Sequence, residues 1–244
     1  MTENWWATFF SGPWAELHSQ VAARRTEREI ETIERKLELP AAAKLLDVPC
    51  GDGRLAVELA ARGYEVTGVD ITPEYLDRAR RAAAERGVEL SLEERDMRDL
   101  PWSGEFDGAI CYWGSFGYFD DDGNQAFLAA VAETLEPGGS FLLETHVVES
   151  LLPRFERRAW SEIGDTHVLE DRNFDHVTGR VETTWTFVGP AAPDARHTSI
   201  RVYTYRELAA MLERAGFRTS EGFDAFSEEP FEFGAQRLLM RARK

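Results

Sequence analysis

The sequence predicts an α/β fold: a doubly wound, mostly parallel sheet of seven strands, with a helical N-terminal cap and an antiparallel β insertion. Three observations predict it. From Ala43 onward, short apolar segments alternate with helices of about ten residues, the pattern of parallel βαβ units with right-handed crossovers. The first apolar segment runs directly into Gly51-Asp52-Gly53, a glycine turn that opens a helix. After Pro153 the rhythm changes to extended segments separated by turn-rich breaks, as in β-hairpins.

Taken in order, Asn4–Gln20 reads as a helix rich in aromatics (Trp5, Trp6, Phe9, Phe10, Trp14), which serves as a packed face or as a lid over a ligand. Thr26–Leu39 is a second helix, with Ile30, Ile33 and Leu37 at helical spacing and Pro40 as its stop. Strands follow at Lys44–Val48, Glu65–Val69, Val88–Glu93, Phe106–Cys111 and Phe141–Thr145. Helices fall between them at Arg54–Arg62, Pro73–Arg86 and Asn124–Leu135, the last ending at Pro137-Gly138-Gly139. The insertion takes His167–Phe174, Arg180–Val188 and His197–Tyr203 as strands. Tyr205–Ala215 is a helix closed by Gly216, and Phe217–Phe223 and Arg237–Arg241 complete the sheet. The chain thus divides into a cap (1–40), a ligand-binding core (43–152), an antiparallel insertion or lid (154–204) and a closing unit (205–244) within one domain.

Composition narrows the class. The 244 residues carry 28 Lys+Arg against 44 Asp+Glu, a net charge of −16 that repels phosphate backbones and anionic membranes and so disfavours a nucleic-acid partner. No apolar run approaches the roughly 20 residues of a membrane span, and the N-terminus has no basic start leading into an apolar stretch. Two cysteines, Cys50 and Cys111, make no disulfide framework, which suggests a cytoplasmic setting. His and Cys show no metal-ligand spacing, and neither a Gly-x-Ser-x-Gly elbow nor a phosphate-binding Walker loop is present, so no metal is expected.

The informative stretch is Leu45-Leu46-Asp47-Val48-Pro49-Cys50-Gly51-Asp52-Gly53-Arg54-Leu55-Ala56. Gly51 and Gly53 let the backbone pass close to a ligand and turn tightly into the helix. On its own, Gly51-x-Gly53-x-x-Ala56 also satisfies the dinucleotide fingerprint. The acids around it add discrimination. Asp47 lies in the loop region, Asp70 ends the second strand, and Asp96 follows the third. A carboxylate at Asp70 accepts hydrogen bonds from ribose hydroxyls in either reading. Asp96 is placed to accept a bond from an adenine amine, with Met97 against the ring face. Asp is also common at strand ends and helix caps, but three at successive strand ends beside one glycine turn point to a site.

As a set, these residues resemble the motifs of class I S-adenosylmethionine-dependent methyltransferases, whose fold is Rossmann-like. Asp47 through Gly53 resembles that family's glycine motif, Asp70 its ribose-binding acid and Asp96-Met97 its adenine site. Phe106–Ile110 resembles its fourth strand, and Leu135-Glu136-Pro137-Gly138-Gly139 the turn into its fifth. Pro49 departs from the pattern, standing where the family often has the first glycine of its triplet. The resemblance implies S-adenosylmethionine as cofactor, held by Asp47, Pro49, Cys50, Gly51, Gly53, Asp70, Ile71, Asp96, Met97, Cys111, Tyr112 and Phe116. It implies methyl transfer to an oxygen or nitrogen of a small molecule; the aromatic N-terminus, the Ser115–Asp120 stretch and the late hairpin resemble sugar-amine and glycine N-methyltransferases.

The acceptor is expected beyond strands four and five. His146 is the candidate base, since an imidazole titrates near neutrality, and Tyr112 a candidate to orient the acceptor. Trp113, Tyr118, His146, Arg201 and Tyr203 are the candidate acceptor contacts, with Arg201 suited to an acceptor carboxylate. Each also has a structural reading: a satisfied histidine, a core tyrosine, an arginine on a solvated strand face. Cys111-Tyr112-Trp113-Gly114 is unlike the Asp/Asn-Pro-Pro-Tyr segment of amino-methylases of DNA, RNA or glutamine. Two further readings remain open: a nicotinamide-dependent oxidoreductase, and a catalytically silent protein that binds an adenosyl ligand.

Overall fold

The computed structural model describes residues 4–12, 14–15, 25–190 and 193–244. A seven-stranded sheet is built from β1 (Lys44–Asp47), β2 (Glu65–Asp70), β3 (Ser91–Glu94), β4 (Phe106–Cys111), β5 (Leu135–Thr145), β10 (Thr219–Asp224) and β11 (Leu238–Arg243), in the order β10-β11-β5-β4-β1-β2-β3. β1 pairs in parallel with both β2 and β4, and the chain winds outward in both directions from that point. β11 alone is inserted antiparallel, against β5 and β10. Helices on both faces let strand interiors be apolar without alternation, and Phe141-Leu142-Leu143 are accordingly all buried. A second sheet, β6 (Arg158–Ile163), β7 (Thr166–Asp175), β8 (Arg180–Val188) and β9 (Asp194–Arg201), is fully antiparallel.

Local chemistry sets the helix bounds. Between a single N-terminal turn, α1 (Trp6–Phe9), and α3 (Arg54–Ala61), α2 (Thr26–Leu37) ends one turn before Pro40, with Glu38 left-handed at φ 54° and its N–H on the Glu34 carbonyl. α4 (Pro73–Arg86) begins with proline in its first turn and closes on left-handed Gly87. α5 (Asp121–Thr134) is capped by the Asp120 carboxylate, which accepts from the Gly123 N–H at 2.8 Å, and buries Phe127, Leu128 and Val131 against the sheet. After a short turn, α6 (Val148–Leu151), α7 (Tyr205–Arg214) opens with a capping box between Thr204 and Glu207.

Three elements differ from expectation. The expected aromatic helix Asn4–Gln20 is interrupted: α1 ends at Phe9, the chain turns at Ser11-Gly12, where Gly12 adopts φ +57°, and Trp14 and Ala15 are helical again; residues 13 and 16–20 lie outside the described residues. Leu135 already belongs to β5: it pairs with Phe106, and the Pro137-Gly138-Gly139 turn bulges out before pairing resumes at Ser140–Gly108. β6 is an additional strand. Its sequence lacks apolar alternation, and Trp160 is 67% exposed, so no buried face announced it.

Candidate active site

The switch point of the sheet lies between β1 and β4, where loops leave in opposite directions and open a crevice at the carboxyl ends of the strands. A cavity of about 620 Å³ occupies this place, bounded by the loops after β1, β2, β3 and β4, by the end of β5, by the N-terminal aromatics and by the inner face of the second sheet. Its size matches that of a small-molecule site.

The glycine loop forms the floor. Cys50 donates its N–H to the Val69 carbonyl (2.8 Å) and Gly53 to that of Cys50 (3.1 Å), which folds Gly51 into the crevice. Gly51 stands at φ +55°, and a Cβ placed there would meet no protein atom within 4 Å, so the backbone presents open space to a ligand. The Val48–Pro49 peptide is cis. Gly53 has a different duty: a Cβ there would lie 2.5 Å from that of Ala79, so its absence lets α3 pack on α4. Gly53 is not on the cavity wall.

The three acids do converge on the cavity. Asp70 accepts the Gly51 N–H at 2.9 Å and the Thr72 N–H at 2.8 Å, one on each carboxylate oxygen, which fixes the side chain while leaving lone pairs for a ligand diol. Burial raises its pKa against the pull of those two amides. Asp47 is almost fully enclosed, and burial pushes its carboxyl up to about 8, with Arg54 opposing and Asp70 adding to the rise. Its Oδ2 has no hydrogen-bond partner among the described residues. Asp96 is held by the Arg98 guanidinium and backbone N–H, which keep its carboxyl below the usual range. Pro49, Cys50, Ile71 and Met97 also line the cavity.

An adenosyl sulfonium fits this set on two observations: the open position a Gly51 side chain would fill, and the buried polar atoms Asp47 Oδ2 and Tyr75 Oη that lack partners among the described residues. Tyr75 was not anticipated. It sits in the first turn of α4, five residues beyond Asp70, where a helix starting beside the ribose acid turns its side chains to the same crevice.

On the acceptor side, Tyr112, Trp113, Tyr118 and His146 line the cavity as expected. Trp113 is held left-handed (φ 64°), its N–H donated to Glu144 at 2.6 Å and its indole N–H to Glu29 at 3.0 Å. His146 is corrected in one respect: burial, reinforced by Arg237 and Arg172, pushes its pKa down to about 3, so it does not titrate near neutrality. Burial lifts the Tyr112 phenol well above its ordinary value.

Besides Gly53, four predicted contacts stand elsewhere. Cys111 is sealed within the core, and Phe116 packs on Phe127 and Tyr203. Arg201 turns away to Asp121 (3.1 Å) and Glu207, and Tyr203 donates to Asp121 (2.7 Å) while accepting from Asn124 (3.0 Å). Alternation explains both: in β9 and just after it, these side chains project toward α5 and α7 rather than toward the cavity. The insertion meets the cavity instead through Trp185, Thr198 and Ile200. Arg237, immediately before β11, is a wall residue that periodicity did not reveal; the signal was its strand, whose first residues lie opposite the end of β5.

These features define a doubly wound α/β protein with a crevice at its switch point that fits an adenosyl ligand. Residues 45–139 match the family model of the methyltransferase domain. Over its whole length the chain superposes on a S-adenosylmethionine-dependent methyltransferase from Clostridium acetobutylicum, with a TM-score of 0.77, 18% identity and 98% of each chain covered. It also superposes on the S-adenosylmethionine-bound amino pentose methyltransferase CalS10 from Micromonospora echinaspora, with a TM-score of 0.68, 22% identity, and 93% of this chain and 96% of that one covered. A ubiquinone biosynthesis O-methyltransferase from Xanthomonas axonopodis is 33% identical over 147 residues, covering 59% of this chain; the chain spans 57% of that relative's length. The fold is thus that of S-adenosylmethionine-dependent methyltransferases, and residues 45–139 carry the similarity to a methyltransferase domain.

Proposed function

We propose that the protein transfers a methyl group from S-adenosylmethionine to an oxygen or nitrogen of a small molecule. When bound, the cofactor supplies an electrophilic methyl carbon on a positive sulfur. Asp47, Asp70, Asp96 and the Gly51 backbone hold its amino-acid, ribose and adenine parts, and the enclosed acids suit a cationic ligand. The observation that carries the reading is a single cavity lined both by that acidic floor and by Tyr112, Trp113, Tyr118 and His146, which we take as its acceptor chamber. In-line transfer asks the protein mainly to align two partners, and one crevice holding both does so.

Trp5, Trp6, Phe9 and Phe10 cover this chamber from the N-terminal side. Trp5 donates its indole N–H to the Ser199 carbonyl (3.1 Å) and meets the Tyr118 ring at 5.0 Å, and Arg196 binds the carbonyls of Phe9 and Ser11. The cap and second sheet thereby exclude water from the acceptor. The open space beside Tyr112 and His146 supports an enzyme over a silent binding protein, and Asp47 and Asp96 support the methyl donor over a nicotinamide. Among the described residues no helix is long and apolar enough to cross a membrane, and both cysteines are free thiols, which supports a cytoplasmic setting. A screen of small metabolites for S-adenosylhomocysteine release tests the proposal: turnover with one of them supports it, and cofactor binding with no turnover across the screen favours the silent protein.

A further inference from the structure

Three neighbouring strand ends bring unmet polar atoms to the acceptor chamber. Tyr112 Oη follows β4, His146 Nδ1 follows β5, and Arg237 Nε precedes β11; each is buried, and none has a hydrogen-bond partner among the described residues. Arg237 stands opposite His146, one step beyond the Leu238–Thr145 pair. Its guanidinium is anchored by one Nη on Glu144 Oε1 (2.7 Å), while Glu144 Oε2 takes the Trp113 N–H (2.6 Å). The ion pair fixes the guanidinium and leaves its Nε–H unmatched. A buried donor without a partner is destabilising, so such atoms mark where a ligand's polar group belongs.

The chemistry of the three atoms is selective. Arg237 Nε can only donate, and Tyr112 Oη donates readily, so the corner asks for an accepting oxygen. A protonated amine would bring a second cation beside Arg237 in a partly desolvated place. The charged groups acting on this corner are Arg237 and Arg172 at His146, and Glu144, Glu29, Glu228 and Arg54 at Tyr112; of these, Arg237 is the one with a buried donor left unmatched among the described residues. His146 is too weak a base there to relieve an ammonium of its proton. The walls beside the corner, Trp113 and Tyr118, are flat and apolar.

We infer that Arg237 is a specificity-determining residue that selects a planar acceptor carrying an acidic hydroxyl, a phenol or enol, and holds its oxygen as the anion. The inference rests on the methyltransferase reading and narrows its acceptor. The balance closes without a base on the protein: the hydroxyl proton leaves to solvent as the anion binds, the oxygen lone pair forms the O–CH3 bond, and the S–CH3 pair returns to sulfur.

The test uses the full chain saturated with S-adenosylhomocysteine and 4-nitrophenol as probe, about one pH unit below the probe's own pKa, with the phenolate absorption band as readout. The band is expected to grow on binding, and 4-nitrophenol is expected to bind roughly tenfold or more tightly than the isosteric 4-nitroaniline. Arg237→Gln removes the band and the preference; Arg237→Lys retains part of both. Because Arg237→Gln strands Glu144, its fold is checked by S-adenosylhomocysteine calorimetry, and the wild-type comparison needs no variant. A wild-type protein that binds the probe as the neutral phenol, prefers the aniline or binds neither overturns the inference, as does an unchanged band in folded Arg237→Gln. Failure of S-adenosylhomocysteine itself to bind overturns instead the methyltransferase reading beneath it.

Discussion

At the scale of the residue, the carboxylates divide the labour by environment. Asp70 is pre-set by two backbone amides, so truncating it removes a positioned acceptor as well as a charge. Asp70→Ala is expected to weaken S-adenosylmethionine binding by about 1–3 kcal/mol, read by calorimetry; unchanged affinity removes Asp70 from the site. Asp47 carries a testable pH signature. Its folded pKa of about 8 lies above the ordinary aspartate value of 3.8, so the native chain holds the proton across that interval. Its contribution to stability is therefore complete below the unfolded pKa and lost as pH rises through about 8. Asp47→Asn is expected to flatten the decline in thermal stability of the ligand-free protein between roughly pH 4 and 8, while weakening cofactor binding. His146 has the opposite sign. With its folded pKa lowered from 6.5 to about 3, its contribution is present above pH 6.5 and lost on acidification. The rate profile should contain no inflection near neutrality from this imidazole, and His146→Gln should leave the profile's shape between about pH 6 and 8 unchanged. The acids and glycines were readable from the sequence because strand ends and turns constrain them locally. The protonation of His146 was not, since it depends first on burial in the folded molecule and then on Arg237, far away in the chain.

At the scale of the element, βαβ periodicity placed β1, β2 and β4 and their helices, because largely buried strands advertise themselves as apolar runs, whereas β3, an edge strand with no fully buried residue, begins at Ser91 and not at Val88 as expected. Elements stabilised by distant contacts were harder to see. The N-terminal segment was expected as a long helix on its aromatic spacing, but bends at Gly12 so that Trp14 can meet Trp185 at 5.3 Å. β6 pairs along an exposed edge with no apolar side to betray it. Arg201 and Tyr203 show how face is decided by register: their chemistry suited an acceptor, their alternation directs them to α5. The packing of α3 on α4 through Gly53 gives a prediction at this scale. Gly53→Ala combines a 2.5 Å approach to Ala79 Cβ with a backbone at φ +77°, and should lower stability by roughly 1–3 kcal/mol in thermal or denaturant unfolding. No loss would mean that α3 moves freely relative to α4.

At the scale of the whole molecule, the switch between β1 and β4 sets where ligands go, and the loops there set which ones. The net charge of −16 is compatible with a cationic cofactor and unfavourable to polyanions. The cofactor half of the site was legible because its motifs are contiguous in sequence. Of the acceptor half, the residues after β4 and β5 were legible too, since they follow recognisable strands, whereas the walls from the cap, the second sheet and Arg237 depend on long-range packing that no local pattern reveals. The central claim is that the enclosed acids and the Gly51 turn recognise an adenosyl sulfonium. Parallel calorimetric titrations of the full chain with S-adenosylmethionine and with NADH and NADPH test it most directly. The account predicts saturable binding of S-adenosylmethionine, lost or weakened in Asp70→Ala, and no binding of the nicotinamides. Binding of NADH or NADPH by a protein that ignores S-adenosylmethionine would contradict it.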